Sequence, residues 1–319
     1  MRIVFAGTPE AAVPALRALA ASDHEVALVV TRPDAPLGRK RVLTPSPVAA
    51  VAEELGLPVL KAARLDADIT ATILATAADL GVIVAYGGLV REPLLTGLGA
   101  GWVNLHFSLL PKWRGAAPVQ RALIAGEAEL GWAVFQLVAE LDAGAVYRQE
   151  PYTPEPDATA ADALRALAEI GAEALPEIVT AIGEGATPVE QVGEPSYAHK
   201  LTLVDGLLDP DAGAEAVFAR YRGVTPEPGA HVRVGGATLK VAELARVEAD
   251  IEIPAGTIRM EAKRVLLGTV DRPVQLVRVQ PAGKQEMAAG DWWRGLRLDE
   301  LHVDPATMDT DSETEGTTR

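Results

Sequence analysis

The sequence predicts an α/β protein: a mostly parallel sheet with helices on both faces, followed by a small β-barrel. Three observations carry this. Short β-branched runs alternate with helix-spaced segments through the first half of the 319 residues, the pattern of parallel βαβ units. Near Thr187 the texture turns polar, and several short β-rich runs follow it, which suits a small barrel. Hydrophobic residues make up 49% of the chain and aromatic ones only 4%, so Ala, Val and Leu must fill globular cores.

The elements follow in order. "RIVFAG" (2–7) reads as a strand stopped by Gly7, and "PEAAVPALRALAAS" (9–22) as a helix with Pro9 near its start. "EVALVVTRPD" is a second strand, "PSPVAAVAEELG" a helix and "LPVLKA" a third strand. "DADITATILATAADLG" (66–81) has helical spacing, and "VIVAYGG" is a buried strand closed by Gly87-Gly88. "GWVNLHFS" (101–108) is the next strand, with a helix over "GAAPVQRALIAGE" (115–127). "LGWAVFQLV" and "AVYRQEPY" read as a hairpin-like pair around Asp142 and Gly144. A long amphipathic helix covers 157–185, with Asp157 or Thr159 as its cap. "TPVEQVGEPSYAHKLT" (187–202), with Pro188 and Pro195, reads as a linker. Gly235-Gly236 then separates two short strands in hairpin style. The acidic end from Asp304 to Arg319 is low in apolar residues and is expected to be disordered.

Several function classes drop out. The chain has no cysteine, which excludes disulfides, thiol catalysis and Cys-based metal sites. The five histidines (24, 106, 199, 231, 302) show no metal spacing. There is neither a G-x-G-x-x-G nor a G-x-x-x-x-G-K-[ST] loop, which weakens a dehydrogenase reading. The N-terminal "MRIVFAGTPEAAVPAL" does not read as a signal peptide, and no apolar run is long enough for a transmembrane helix. A net charge of −15 argues in general against nucleic-acid binding.

The residues with chemical potential cluster at 103–123. Side chains alternate along a strand, so Asn104 and His106 share a face, about 7 Å apart along the chain, while Leu105 and Phe107 face the other way. Ser108 to Pro111 end the strand, so both polar groups lie near its carboxyl end, where open α/β sheets hold ligands. Each residue also has a plain reading. A lone His on a strand is commonly a hydrogen-bonded structural residue. Asp142, in "LDAG", fits a turn. The residues alone do not bring Asp142 to His106. "GRKR" (38–41), in a loop bounded by prolines, suits phosphates or a solvated surface equally.

"FAGTPE", "PSPV", "VNLHFSLLPKWRGAAPVQRAL", "LDAGAVY" and "QPAGK" occur in one order. Together they resemble the 10-formyltetrahydrofolate-dependent formyltransferases. Asn-x-His, Ser-Leu-Leu-Pro and a downstream Asp are common to that group. "WRGAAP" and the C-terminal "QPAGK" point, within it, to the methionyl-tRNA formyltransferase family. The resemblance implies a Rossmann-like catalytic domain (1–187), a linker (188–205) and an OB-fold-like tRNA-binding barrel (206–303), ahead of the acidic tail (304–319). It implies Asn104, His106 and Asp142 as the catalytic trio and Ser108, Leu109, Leu110 and Pro111 as the folate-contacting segment. Arg39, Lys40 and Arg41 resemble the loop that reaches toward the tRNA acceptor end.

The reaction implied is formyl transfer from 10-formyltetrahydrofolate to the α-amine of methionyl initiator tRNA, in bacterial translation initiation. A cytoplasmic monomer without a metal is expected. Asn104, and His106 if protonated, would stabilise developing negative charge, His106 would carry the proton, and Asp142 would orient the ring. Another amine acceptor (a nucleotide sugar or glycinamide ribonucleotide), a formyl-folate hydrolase and a binding module are the alternatives. The chain also departs from relatives. Phe107 stands where Gly is common, "TPEP" (225–228) replaces a frequent "NPWP", and acids nearly balance bases over 206–303.

Overall fold

The computed structural model describes residues 1–38, 41–248 and 251–305. They divide into two compact units: Met1–Ala122 with Glu127–Lys200, and Leu123–Gly126 with the chain from Leu201 onward.

In the first unit the chain runs through β1 (Arg2–Gly7), α1 (Val13–Ala20) and β2 (Glu25–Thr31). A hairpin of β3 (Ala35–Leu37) and β4 (Val42–Thr44) follows, then α2 (Pro47–Glu54), β5 (Val59–Lys61), α3 (Ala67–Leu74), β6 (Leu80–Val84) and β7 (Trp102–His106). After β8 (Arg114–Gly115) and α4 (Pro118–Ile124) come β9 (Leu130–Gln136), β10 (Val146–Tyr152), α5 (Ala160–Gly183) and β11 (Tyr197–Ala198). The main sheet has the order β10-β9-β7-β6-β1-β2-β5. Its pairs from β7 through β6, β1 and β2 to β5 are parallel, and β9 and β10 join antiparallel. The strand order reverses between β1 and β6, the switch point at which such sheets open a crevice, and β7 is two strands out from β1.

Local chemistry explains the helices. Ser46 accepts from the Ala49 N–H at 3.0 Å and is followed by Pro47, so α2 starts there. Asp66 does the same for α3, accepting from Ile69 N–H at 3.1 Å. Of the two caps offered for α5, Thr159 serves, in a reciprocal capping box with Asp162. Two helices are shorter than their spacing suggests. Pro14 has no N–H to offer back along the chain, so Glu10–Ala12 forms a 3₁₀ turn and α1 begins at Val13. The pattern from Asp66 breaks at Ala77, whose φ is +50°, and β6 opens at Leu80.

The core of this unit rests on β1, where Ile3, Val4 and Phe5 are fully buried, together with Leu16 and Leu19 of α1 and Leu167 and Leu175 of α5. Each such side chain contributes about 1.5–3 kcal/mol through burial. Leu105 of β7 packs toward α5: a Cβ on Gly171 would come within 2.8 Å of the Leu105 Cδ1 atom. This fixes Asn104 and His106 on the opposite face of the strand. The stretch expected to be a linker is bonded into this unit as far as Lys200. Val189 bridges Val146, and β11 pairs in parallel with β8.

The second unit carries α6 (Ala214–Val224), β12 (His231–Val234), β13 (Ala237–Ala245), β14 (Thr257–Glu261), β15 (Arg264–Leu267), β16 (Val274–Pro281), β17 (Met287–Ala288), α7 (Ala289–Leu296) and β18 (Glu300–His302). Its antiparallel sheet has the order β12-β13-β16-β15-β14-β18, with β17 on β16. Asp304 draws the two ends of that path together. Its N–H donates to the Arg233 carbonyl at 2.7 Å, and its carboxylate accepts from the Gly235 and Gly236 N–H groups at 3.0 and 2.7 Å. The sheet therefore rolls around a core that includes Phe218, Val232, Leu239, Leu276 and Trp293. Among the described residues no helix is long and apolar enough to cross a membrane.

Candidate active site

Asn104 and His106 are held on β7 by pairing on both sides. Asn104 pairs with Ile83 of β6 and Phe135 of β9, and His106 pairs with Ala133. His106 is buried, with the Phe135 ring edge-on at 6.2 Å. Asn104 is half-buried, and its carboxamide has no hydrogen-bond partner among the described residues.

Asp142 reaches this face by a detour. The chain leaves β9 beside Trp102, where the Leu137 N–H donates to the Trp102 carbonyl at 2.7 Å, and returns into β10 beside Phe135. Yet the Asp142 Oδ2 atom lies 3.8 Å from the His106 Nδ1 atom. The connection therefore folds back across the face that Asn104 and His106 share. Asp142 has a φ of +46°, a left-handed conformation that Asp tolerates better than most residues. Gly144 makes the turn possible, because a Cβ there would sit 1.7 Å from the Gln136 carbonyl oxygen. The Asp142 carboxylate is buried and accepts from the Gly115 N–H at 2.7 Å.

The hydrogen bond that fixes the imidazole comes from elsewhere. His106 Nε2 lies 3.0 Å from the Trp113 carbonyl oxygen. A carbonyl only accepts, so Nε2 carries the proton and Nδ1 of the neutral ring presents its lone pair toward Asp142. Burial pushes the His106 pKa below the ordinary histidine value, with Asp142 and the Trp113 carbonyl opposing in part. The ring is therefore a neutral base at physiological pH, the state in which it can take a proton. A ¹H–¹⁵N NMR titration should place the His106 inflection below about 6.5. An inflection above that value would contradict a neutral buried ring.

A second layer supports these groups. Trp113, with φ +60°, donates its N–H to Ser196 Oγ at 2.9 Å. Arg114 is buried and donates to Gln191 Oε1 from Nε (3.2 Å) and Nη2 (2.7 Å), with Glu140 at 3.5 Å from Nη1. Gln191 Nε2 in turn donates to the carbonyls of Asp142 (2.9 Å) and Gly144 (2.8 Å). The Ser-Leu-Leu-Pro turn is closed on itself: the Ser108 hydroxyl donates to the Lys112 carbonyl at 2.6 Å, and the Lys112 N–H donates to the Leu109 carbonyl at 3.0 Å. Ser108, Leu109, Leu110 and Pro111 line a cavity of about 340 Å³, with Phe107, Leu130 and Gly131 among its other walls. Asn104, His106 and Asp142 do not line it.

The arrangement is a base, a free carboxamide and a carboxylate around one strand end. The formyl transferase family model matches residues 1–179, and the model of the formyl transferase C-terminal domain matches residues 200–297. A methionyl-tRNA formyltransferase of Clavibacter sepedonicus is 57% identical over 297 residues, covering 93% of this chain and 97% of the relative. The chain belongs to the methionyl-tRNA formyltransferase family. A second member, from Leifsonia xyli subsp. xyli, is 55% identical over 92% of this chain and 97% of its own. Among solved structures, a methionyl-tRNA formyltransferase from Clostridium thermocellum shares the fold at TM-score 0.57 and 15% identity, covering 79% of this chain and 96% of that one.

Of the residues the sequence singles out, the fold brings Asn104, His106 and Asp142 to one face. Ser108–Pro111 form the turn that follows them. Arg39 and Lys40 lie outside the described residues. Arg41 is exposed between β3 and β4, and its N–H donates to the Gly38 carbonyl at 3.1 Å. The hairpin around it exposes Leu37, Val42 and Leu43. Residues 306–319 of the acidic tail also lie outside the described residues. Sequence reasoning did not find Trp113, Gln191 and Ser196. Trp113 acts through its backbone, which no side-chain motif announces. Gln191 and Ser196 sit in a polar, proline-bounded run without periodicity.

Proposed function

We propose that the protein transfers the formyl group of 10-formyltetrahydrofolate to the α-amine of methionyl initiator tRNA, supplying formylated methionine for translation initiation. Family membership supports the substrate pair, and the 3.8 Å approach of Asp142 to His106 carries the chemistry. In the balanced reaction the amine nitrogen forms a bond to the formyl carbon and the bond from that carbon to folate N10 breaks. One proton leaves the amine and one is delivered to N10.

The residues divide this work. His106 Nδ1, neutral and unprotonated, takes the amine proton. The imidazolium so formed donates to the Trp113 carbonyl on one side and faces the Asp142 carboxylate on the other, so its charge is met as it develops. The same ring then returns the proton to the leaving nitrogen. The Asn104 carboxamide, uncommitted to any described protein group, donates to the formyl oxygen as negative charge gathers there. The Asp142 carboxylate serves the ring by facing the nitrogen that takes the proton.

The folate cosubstrate is a flat heterocycle with an aromatic linker and a carboxylate tail. The Ser108–Pro111 turn suits it by shape more than by donors. The Ser108 proton is already given to Lys112, while Leu109, Leu110 and Pro111 offer apolar wall. Arg39, Lys40 and Arg41 form a local cationic run in an otherwise acidic chain, which fits the phosphates of the acceptor end. Such a small set predicts weak salt dependence of tRNA binding.

The test is formyl transfer by the purified protein from 10-formyltetrahydrofolate to charged initiator tRNA. Free methionine, glycinamide ribonucleotide, an amino-sugar nucleotide and water serve as competing acceptors. Turnover with the charged tRNA far above the others is expected. Preferential transfer to another amine, or hydrolysis alone, would overturn the reading.

A further inference from the structure

We infer that Gln191 is a positioning residue for formyl transfer: its carboxamide clasps the Asp142 turn to the Arg114–Gly115 strand and so sets the distance between Asp142 and His106. The inference rests on the reading of Asn104, His106 and Asp142 as the reacting groups.

The geometry is specific to this side chain. Both donors of the amide are used on the turn, reaching the Asp142 carbonyl at 2.9 Å and the Gly144 carbonyl at 2.8 Å. The amide oxygen takes two donors of the buried Arg114, at 3.2 and 2.7 Å. Asp142 is thus held at two places. Its backbone carbonyl is held by Gln191. Its carboxylate is held by the N–H of Gly115 at 2.7 Å, the neighbour of the arginine that Gln191 also holds. A left-handed Asp142 persists only where its surroundings over-determine it, and Gln191 supplies part of that determination.

The chain around Gln191 explains why it can do this. Two residues before it, Val189 exchanges both backbone hydrogen bonds with Val146, at 2.7 and 2.9 Å. Five residues after it, Ser196 binds Trp113, and Tyr197–Ala198 pairs with Arg114–Gly115. The segment 189–198 is therefore a strap pinned at both ends, and its Val192, Gly193 and Glu194 line the same cavity as the Ser108–Pro111 turn. Gln191 is its one side chain that reaches the Asp142 turn through described hydrogen bonds.

Leucine removes all four bonds at similar volume. Glutamate keeps the volume and an acceptor for Arg114, but it turns an oxygen toward two carbonyls and offers them no donor. Each variant should lose about 10- to 100-fold in kcat, the scale on which misplacing a reacting group by an ångström acts. Two readouts separate positioning from general scaffolding. In an Asp142→Ala background, Gln191→Leu should cost less than about twofold more, because the group it positions is gone. The His106 NMR inflection should also move lower in Gln191→Leu, because a displaced Asp142 no longer raises the ring's pKa.

The inference is overturned if Gln191→Leu folds and keeps turnover within about twofold of wild type, or if its loss is the same with and without Asp142. If Gln191→Leu fails to fold, Gln191→Glu carries the same comparison. Loss of fold in both would make Gln191 a purely structural residue and overturn the inference as well. Wild-type protein that formylates no charged tRNA in this assay removes the underlying reading. Wild-type turnover beside an equally active Gln191→Leu removes this inference alone.

Discussion

His106→Ala is expected to lower kcat for formyl transfer by about 10²- to 10⁴-fold, the range that a positioned acid–base group supplies. The ring's only described hydrogen bond is Nε2 to the Trp113 carbonyl, and Nδ1 is left facing a carboxylate 3.8 Å away. That gap is too long for a hydrogen bond and short enough for charge pairing, so Asp142 offsets part of the cost of the buried charge once the ring has taken a proton. Alanine removes the acceptor, strands the Trp113 carbonyl and opens space beside Phe135. It should therefore cost stability too, on the order of 1–3 kcal/mol. His106→Gln separates the two effects. A glutamine amide can still donate to the Trp113 carbonyl, but it cannot accept a proton at neutral pH. Thermal unfolding of His106→Gln should stay near wild type while its kcat falls as far as that of His106→Ala. A folded His106→Gln turning over within about tenfold of wild type would remove His106 as the base.

The groups proposed to react were legible in the sequence, and most of the groups that hold them were not. Asn104 and His106 share a face because strand side chains alternate, and that needs only local pattern. Their place at a sheet's carboxyl edge follows from the alternation of strands and helices around them. Asp142 is different in kind. Its carboxylate arrives because the 137–145 connection folds back over β7, and that path depends on Gly144 against the Gln136 carbonyl and on Gln191, 49 residues along the chain from Asp142. No periodicity encodes such contacts; the resemblance to a family supplied Asp142 as the partner of His106, but neither Gly144 nor Gln191 as what holds it there. The protonation of His106, which the sequence leaves open, depends on the fold for a related reason. Sequence gives the ordinary pKa, whereas the shift arises from burial by segments distant in the chain. The 188–205 stretch looked like a linker because it is polar and proline-rich. Much of it instead forms single pairings and side-chain bonds, which leave no compositional trace.

Asn104→Ala is expected to lower kcat by about 10²- to 10³-fold, the loss seen when one aimed oxyanion donor is removed, with almost no change in stability. Both halves of that expectation come from the same observation. The carboxamide has no described hydrogen-bond partner and is half-buried, so its removal breaks nothing in the resting protein, and substitutions of that kind usually stay within about 0.5 kcal/mol. Its backbone, in contrast, is pinned between β6 and β9 through Ile83 and Phe135. The donor therefore needs little reorganisation when charge develops on the formyl oxygen, which is where electrostatic preorganisation acts. Asn104→Asp sharpens the test. It keeps the shape and replaces the donor with a second carboxylate on the face that Asp142 already occupies. If Asn104 acts by donating, Asn104→Asp must be at least as slow as Asn104→Ala in single-turnover formyl transfer. If it only shapes the site, Asn104→Asp should be the faster of the two. Unfolding curves of wild type and Asn104→Ala should nearly superimpose, and a large gap between them would mean that the carboxamide holds the fold and not the reaction.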